Sequence, residues 1–233
     1  SRDYFDKEID GNFNVSTVDN RQPGSTFKPF VYAEAFRKGY SPETVLFDAE
    51  TVFSTDCSPD PIISEEDDHC YIPGNYDYKF RGPMTMREAL AQSINIPAIK
   101  SIYLAGVSDV LNLASKLGIK NLGDSNQYGL TLALGGGEIS LLEMVNAYSV
   151  FANDGDRNEY TGILEIYDKN GDTLEEFEIS SKTVIEKEVA RMVSDVLSDN
   201  VARAPSYGSH SLLHFPGKDV AVKTGTTNDY RDA

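Results

Sequence analysis

Only one stretch of this chain alternates in the manner of a core strand, Asp219-Val220-Ala221-Val222-Lys223-Thr224-Gly225-Thr226, and it comes last. Most of what precedes it is written in helical period. Phe27, Val31, Ala35 and Phe36 give one apolar side to a helix predicted over 25–38, with Pro29 in the first turn, where a missing N–H costs little. Thr85 reads as the cap of a second helix, over 84–91, with Glu88 as its capping-box partner. Ser93-Ile94-Asn95-Ile96-Pro97 interrupts the pattern before a further helix over 97–104. Val107, Val110, Leu111, Ala114 and Leu117 recur at helical spacing and stop before Gly118; Leu141, Val145, Tyr148 and Ala152 do so before Asn153-Asp154-Gly155. A hairpin over 162–178 turns at Asn170-Gly171, and a helix over 186–198 turns Val189, Met192, Val193 and Val196 inward. A lone late strand among helices predicts an α/β or α+β domain. The partners of that strand would then lie beyond the ends of this chain.

With 233 residues, the chain holds one sizeable domain or two small ones. At 40% hydrophobic residues, with 13 Tyr and 11 Phe, it reads as an ordinary folded protein and excludes wholesale disorder. The net charge of −16 and pI of about 4.5 argue against nucleic acid, which requires a basic stripe. Acidic segments such as Ser64-Glu65-Glu66-Asp67-Asp68 and Leu174-Glu175-Glu176-Phe177-Glu178 read as solvated surface. No run is long and apolar enough to span a membrane, and no signal peptide opens the sequence. Both ends read as the middle of something, so the chain is taken as a piece of a longer polypeptide.

Cys57 and Cys70 flank a polar loop with two prolines and four consecutive acidic residues. A disulfide would close about 14 residues, contribute roughly 3 kcal/mol through the unfolded state, and imply an oxidising compartment. The alternative is a zinc site using Cys57, His69 and Cys70, although adjacent His-Cys is an awkward spacing and no fourth ligand is evident.

Chemistry enters at Arg21-Gln22-Pro23-Gly24-Ser25-Thr26-Phe27-Lys28-Pro29. Pro23 and Gly24 punctuate the backbone just before a helix, and the three-residue offset puts Ser25 and Lys28 on one face. Serine is a weak nucleophile that needs an adjacent base, and lysine becomes one only when its pKa is lowered. Taken alone the pair is equally a capping serine followed by a solvated lysine, since S-x-x-K recurs by accident. An acyl-transfer site also needs a proton relay, an oxyanion hole and a cation for a substrate carboxylate. Ser93 offers the relay, and Asn95 an amide for the substrate backbone or for the base. Lys223-Thr224-Gly225-Thr226 offers the rest: a second ammonium that favours the neutral form of Lys28, a glycine that admits a substrate backbone, and in Thr226 an N–H and a hydroxyl. The run Gly135-Gly136-Gly137 has no following lysine and no preceding strand, so it reads as a close-packed turn rather than a phosphate cradle.

S-x-x-K, S-x-N and K-T-G-T in that order form the motif set of penicillin-binding proteins and serine β-lactamases. The chain resembles the transpeptidase domain of a class A penicillin-binding protein, also through Asn75-Tyr76-Asp77, Ser93-Ile94-Asn95-Ile96-Pro97-Ala98 and the segment from Leu134-Gly135 to Asn153 with Leu142-Glu143-Met144. That resemblance covers nearly the whole chain. It implies a mixed α+β fold, with a five-stranded antiparallel sheet flanked by helices, here cut short at both ends. Residues 1–233 would be part of one transpeptidase domain, with the Cys57–Cys70 loop as a local insertion.

The resemblance also implies roles. Ser25 would form the acyl-enzyme and Lys28 would be its base. Ser93 would relay the proton, Asn95 would hold the substrate amide, and Lys223, Thr224 and Thr226 would bind the terminal carboxylate, with Gly225 leaving room for substrate. The N–H groups of Ser25 and Thr226 would form the oxyanion hole. Implied partners are peptidoglycan stem peptides ending in D-Ala-D-Ala, an acceptor amine and β-lactam antibiotics. An N-terminal glycosyltransferase domain and a membrane anchor would lie outside this chain, on the outer face of the bacterial cytoplasmic membrane. No cofactor or metal is implied, and His69, His210 and His214 have no catalytic part. A serine β-lactamase or β-lactam sensor shares all three motifs but needs a base that delivers water to the acyl-serine, which no motif here supplies. A catalytically inactive wall-binding domain of the same fold is the remaining alternative.

Overall fold

In the computed structural model, which describes residues 3–8, 11–17, 21–54, 56–58, 60, 69–120 and 122–226, one helix is sheathed by the others. It begins as a 3-10 turn, Gly24–Phe27, and continues as α1, Lys28–Arg37. Every residue from Lys28 to Phe36 is buried, which explains why its pattern is apolar nearly all round. Phe30 stacks on Phe151 with ring centroids 5.6 Å apart and meets Tyr148 edge-on at 5.4 Å. Around α1 pack α2 (Met86–Ala91), α3 (Asn95–Ala105), α4 (Val107–Leu117) and, beyond α5 (Ser125–Tyr128) and α6 (Leu141–Ala152), α7 (Lys187–Ser198). Amphipathic α4 buries Val110, Leu113, Ala114 and Leu117, and α7 buries Val189, Ala190, Val193, Val196 and Leu197. Each Val and Leu among these withdraws apolar surface worth about 1.5–3 kcal/mol. A last helix, α8 (Asn200–Tyr207), contains Pro205 and follows α7 after a single residue.

Local signals act as the sequence suggests. The Thr85 hydroxyl accepts from Glu88 N while the Glu88 carboxylate accepts from Thr85 N, the reciprocal box that starts α2. Ser140 caps α6 through Glu143 N. α3 begins at Asn95 rather than at Pro97, because Pro97 falls in the first turn, where no intrahelical N–H is required.

Among the described residues the strands form three antiparallel pairs. β1 (Val45–Asp48) pairs with β2 (Gly82–Thr85) in the register Val45↔Thr85 to Asp48↔Gly82. β3 (Asp156–Asn158) pairs with β6 (Ser181–Thr183), and β4 (Glu165–Tyr167) with β5 (Thr173–Glu176) makes the expected hairpin. The fold is therefore mixed, but the five-stranded sheet is not formed among the described residues. Residues 219–226 are the point of difference. They carry the alternating pattern of a strand yet join no ladder; Val222 N donates to Leu197 O at 2.9 Å, at the end of α7. A strand needs a neighbouring backbone in register, and no described segment forms a ladder with this one.

Cys57 and Cys70 are joined in a disulfide, so neither thiol is left for the zinc alternative. Much of the loop they close lies outside the described residues. Among those described, no helix is long and apolar enough to cross a membrane.

Candidate active site

Three backbones meet at Ser25 because glycines let them. Gly24 has φ +55, and a Cβ on it would clash with the carbonyl of Thr226. Gly135, with φ +82, lies so close to Gly24 that a Cβ there would strike its amide and carbonyl. Gly225 approaches from the remaining side, where a Cβ would stand 2.7 Å from Thr26 Cγ2 and 2.9 Å from Pro23 O. The triglycine is thus a close-packed turn, and its first residue, Gly135, packs against the serine loop. Paired bonds between Arg21 and Ile139, at 3.0 and 2.9 Å, zip the flanking segments together. The buried Tyr148 hydroxyl donates to Thr26 O at 2.7 Å and anchors the loop from behind. Gly135→Ala is expected to cost roughly 2–6 kcal/mol, the sum of a left-handed non-glycine residue and an overpacked contact. Thermal unfolding checks this: a wild-type melting temperature would show that the contact has room to spare.

Lys28 enters from the first turn of α1 and is completely buried. Its Nζ donates to Ser93 O at 2.7 Å and to Asn95 Oδ1 at 2.8 Å, with Ser93 Oγ at 3.4 Å. All of these acceptors are neutral, so among the described residues the charged lysine loses its hydration without gaining a counter-ion. Burial first, and the neighbouring Lys223 second, hold its pKa well below the ordinary lysine value. Lys223 Nζ donates to Ser93 Oγ at 2.7 Å and to Thr224 O at 2.8 Å. Its pKa falls to about 7, through burial and then the field of Arg203. The Ser93 hydroxyl therefore stands between two lysine amines. Ser93 itself adopts φ +63, a left-handed conformation that costs a non-glycine residue about 1–3 kcal/mol and persists only where its surroundings impose it.

The structure thus brings Lys28, Ser93, Asn95 and Lys223 into one hydrogen-bonded cluster, with Ser25 on the loop beside it. Ser25 is half-buried, and its hydroxyl is not among the partners of Lys28 Nζ. Thr224 is fixed by Tyr207, the two hydroxyls 2.8 Å apart, and Thr226 lies exposed against Gly24. A cleft of about 390 Å³, lined by Gly74, Asn75, Tyr76, Tyr78 and Asn95, opens beside the cluster. Sequence reasoning missed Arg203, Tyr207 and Tyr148. Arg203 is only 2% exposed and gives its guanidinium to Leu213 O, at 3.0 Å, and to Leu197 O. Arg203 and Lys223 together make a basic pair in a chain of net charge −16, an arrangement suited to an anion carried in by a ligand.

The penicillin binding protein transpeptidase domain family model matches residues 2–233. The chain is 35% identical over 221 residues to penicillin-binding protein 1A of Aquifex aeolicus and 33% identical over 226 residues to that of Neisseria lactamica. Each alignment takes in 95% of this chain but only 28% and 27% of the relative, so the chain spans under a third of their length. Among solved structures it is similar to penicillin-binding protein 1A from Haemophilus influenzae, with a TM-score of 0.68 and 27% identity over 81% of this chain and 31% of that one. It also shares the fold of penicillin-binding protein A from M. tuberculosis in its imipenem acyl-enzyme complex, with a TM-score of 0.79 and 16% identity over 96% of this chain and 52% of that one.

Proposed function

The chain belongs to the penicillin-binding protein transpeptidase domain family, and we propose that it acylates Ser25 with peptidoglycan stem peptides and passes the acyl group to an amine. The observation that carries this reading is the position of the Ser93 hydroxyl between Lys28, whose pKa burial and then Lys223 hold well below the ordinary lysine value, and Lys223. Ser25 Oγ attacks the carbonyl carbon of the penultimate D-alanine and gives its proton to Lys28 Nζ. The N–H groups of Ser25 and Thr226 receive the oxyanion. As the C–N bond breaks, the proton passes from Lys28 through Ser93 to the leaving D-alanine nitrogen, and an ester remains on Ser25. An acceptor amine then attacks the ester carbonyl and loses a proton to Lys28, and as the C–Oγ bond breaks Lys28 passes that proton to Ser25 Oγ, which returns to its hydroxyl form. Lys223, Thr224 and Thr226 hold the terminal carboxylate, while Gly225 keeps the substrate backbone close. Asn95 serves the base rather than the substrate, since its Oδ1 faces Lys28 and its Nδ2 donates to Gly74 O at 2.9 Å.

Residues 1–233 act, on this reading, as part of a single transpeptidase domain with the Cys57–Cys70 loop inserted. The class A likeness extends the proposal to a glycosyltransferase domain and a membrane anchor elsewhere in the polypeptide, and to work outside the cytoplasm, where the disulfide would persist. A fluorescent penicillin is expected to label the full-length protein stably, with the adduct mapped to the Ser25 peptide by mass spectrometry. A folded protein that takes no label would overturn the reading, and label released as hydrolysed penicillin would make it a β-lactamase.

A further inference from the structure

We propose that Asn75 is a positioning residue for this reaction: it caps the helix that carries Asn95 and so sets the carbonyl on which Lys28 rests. The inference rests on Lys28 being the base. α3 begins without a cap of its own, because its N-cap residue is Ile94, whose side chain accepts nothing. The acceptor comes from another segment of the chain. Asn75 Oδ1 takes the N–H of Asn95 at 3.0 Å and that of Ile96 at 3.3 Å, the first two of the helix.

The amide can sit only one way round. Asn75 is 4% exposed, and its Nδ2 donates to Asp48 Oδ1 and to Lys79 O, each at 2.7 Å. Asp48 is wholly buried, and its other oxygen accepts from Arg81 N at 2.9 Å. Turning the amide over would set oxygen against carboxylate and NH₂ against two helix N–H groups. All four bonds of Asn75 are therefore made, and its orientation is dictated from Asp48. The neighbouring residue completes the hold, since Gly74 O accepts Asn95 Nδ2 at 2.9 Å and leaves Oδ1 pointing at Lys28 Nζ, 2.8 Å away. A chain of polar bonds, buried at Asp48 and part-buried toward the site, thus runs from Asp48 through Asn75 and Asn95 to the base, and no member before Asn95 touches a reacting atom.

The test compares full-length wild type with Asn75→Ala, in two measurements. In the variant, amide hydrogen exchange at Asn95 and Ile96 is expected to quicken at least tenfold; unchanged exchange would overturn the cap. Single-turnover acylation by benzylpenicillin, counted per active molecule by burst titration, is expected to show a maximal rate about tenfold lower with the half-saturating concentration little changed. A rate within twofold of wild type, with exchange quickened, would reduce Asn75 to a merely structural cap. If wild type is not acylated at all, it is the Ser25 reading that fails, and this assignment with it. Should Asn75→Ala not fold, the exchange pair Asp48→Asn with Asn75→Asp keeps an acceptor over α3. That pair is expected to acylate within about threefold of wild type, and a tenfold loss there would overturn the proposal.

Discussion

Replacing Lys28 with methionine is expected to slow acylation of Ser25 by about 100- to 10,000-fold, the range over which a positioned general base acts. Methionine fills nearly the same buried volume, so the loss would fall on chemistry rather than on packing. Stability is expected to hold or rise, because the lysine amine sits among neutral acceptors and its charged form is disfavoured there. The sign of the pH dependence follows from linkage. An unfolded lysine binds its proton up to its ordinary value, whereas folded Lys28 gives it up well below, so over that interval the unfolded state holds more protons and wild type gains stability as pH rises. The advantage of the methionine variant in denaturant melts is therefore expected to be largest at low pH and to narrow toward the unfolded lysine value. Acylation within tenfold of wild type would remove Lys28 from the role of base, whatever the melts show.

What the residues disclosed in advance was local, and what they withheld was relational. The helical period placed α4, α6 and α7 within a residue or two, and Thr85 with Glu88 announced a cap that forms as read. The order S-x-x-K, S-x-N, K-T-G-T pointed to a single cluster, and Lys28, Ser93, Asn95 and Lys223 do come together. The strand at 219–226 failed as an element because alternation describes one backbone while a ladder requires two. Arg203 was invisible for a different reason: Pro205 lies inside its helix and argues against reading one there. Asn75 stood in plain sight within Asn75-Tyr76-Asp77, but its task is to cap a helix 20 residues further on. No local signature marks a cap supplied from that distance. Nor does sequence disclose that the Ser93 backbone is left-handed, a conformation dictated by its neighbours.

Lys223→Met is expected to lower the second-order acylation constant about 100-fold and to shift the pH profile in a direction that a lost carboxylate contact alone would not produce. With its pKa at about 7, Lys223 exchanges its proton freely near neutrality while the site is unliganded. A substrate carboxylate arriving there would give the ammonium a counter-ion and raise that value, so binding fixes the proton on Lys223. The fixed charge then acts on Lys28 and favours its neutral form, so occupancy of the carboxylate site readies the base. Acylation should accordingly rise through the Lys28 titration and fall as Lys223 deprotonates at higher pH. In Lys223→Met the alkaline fall should vanish, because its group is gone. The acid limb should move to higher pH, because Lys28 no longer feels the neighbouring cation and holds its proton longer. A variant that loses affinity but keeps the wild-type acid limb would show that Lys223 binds the carboxylate without setting the base, and burial alone would then account for the neutral Lys28.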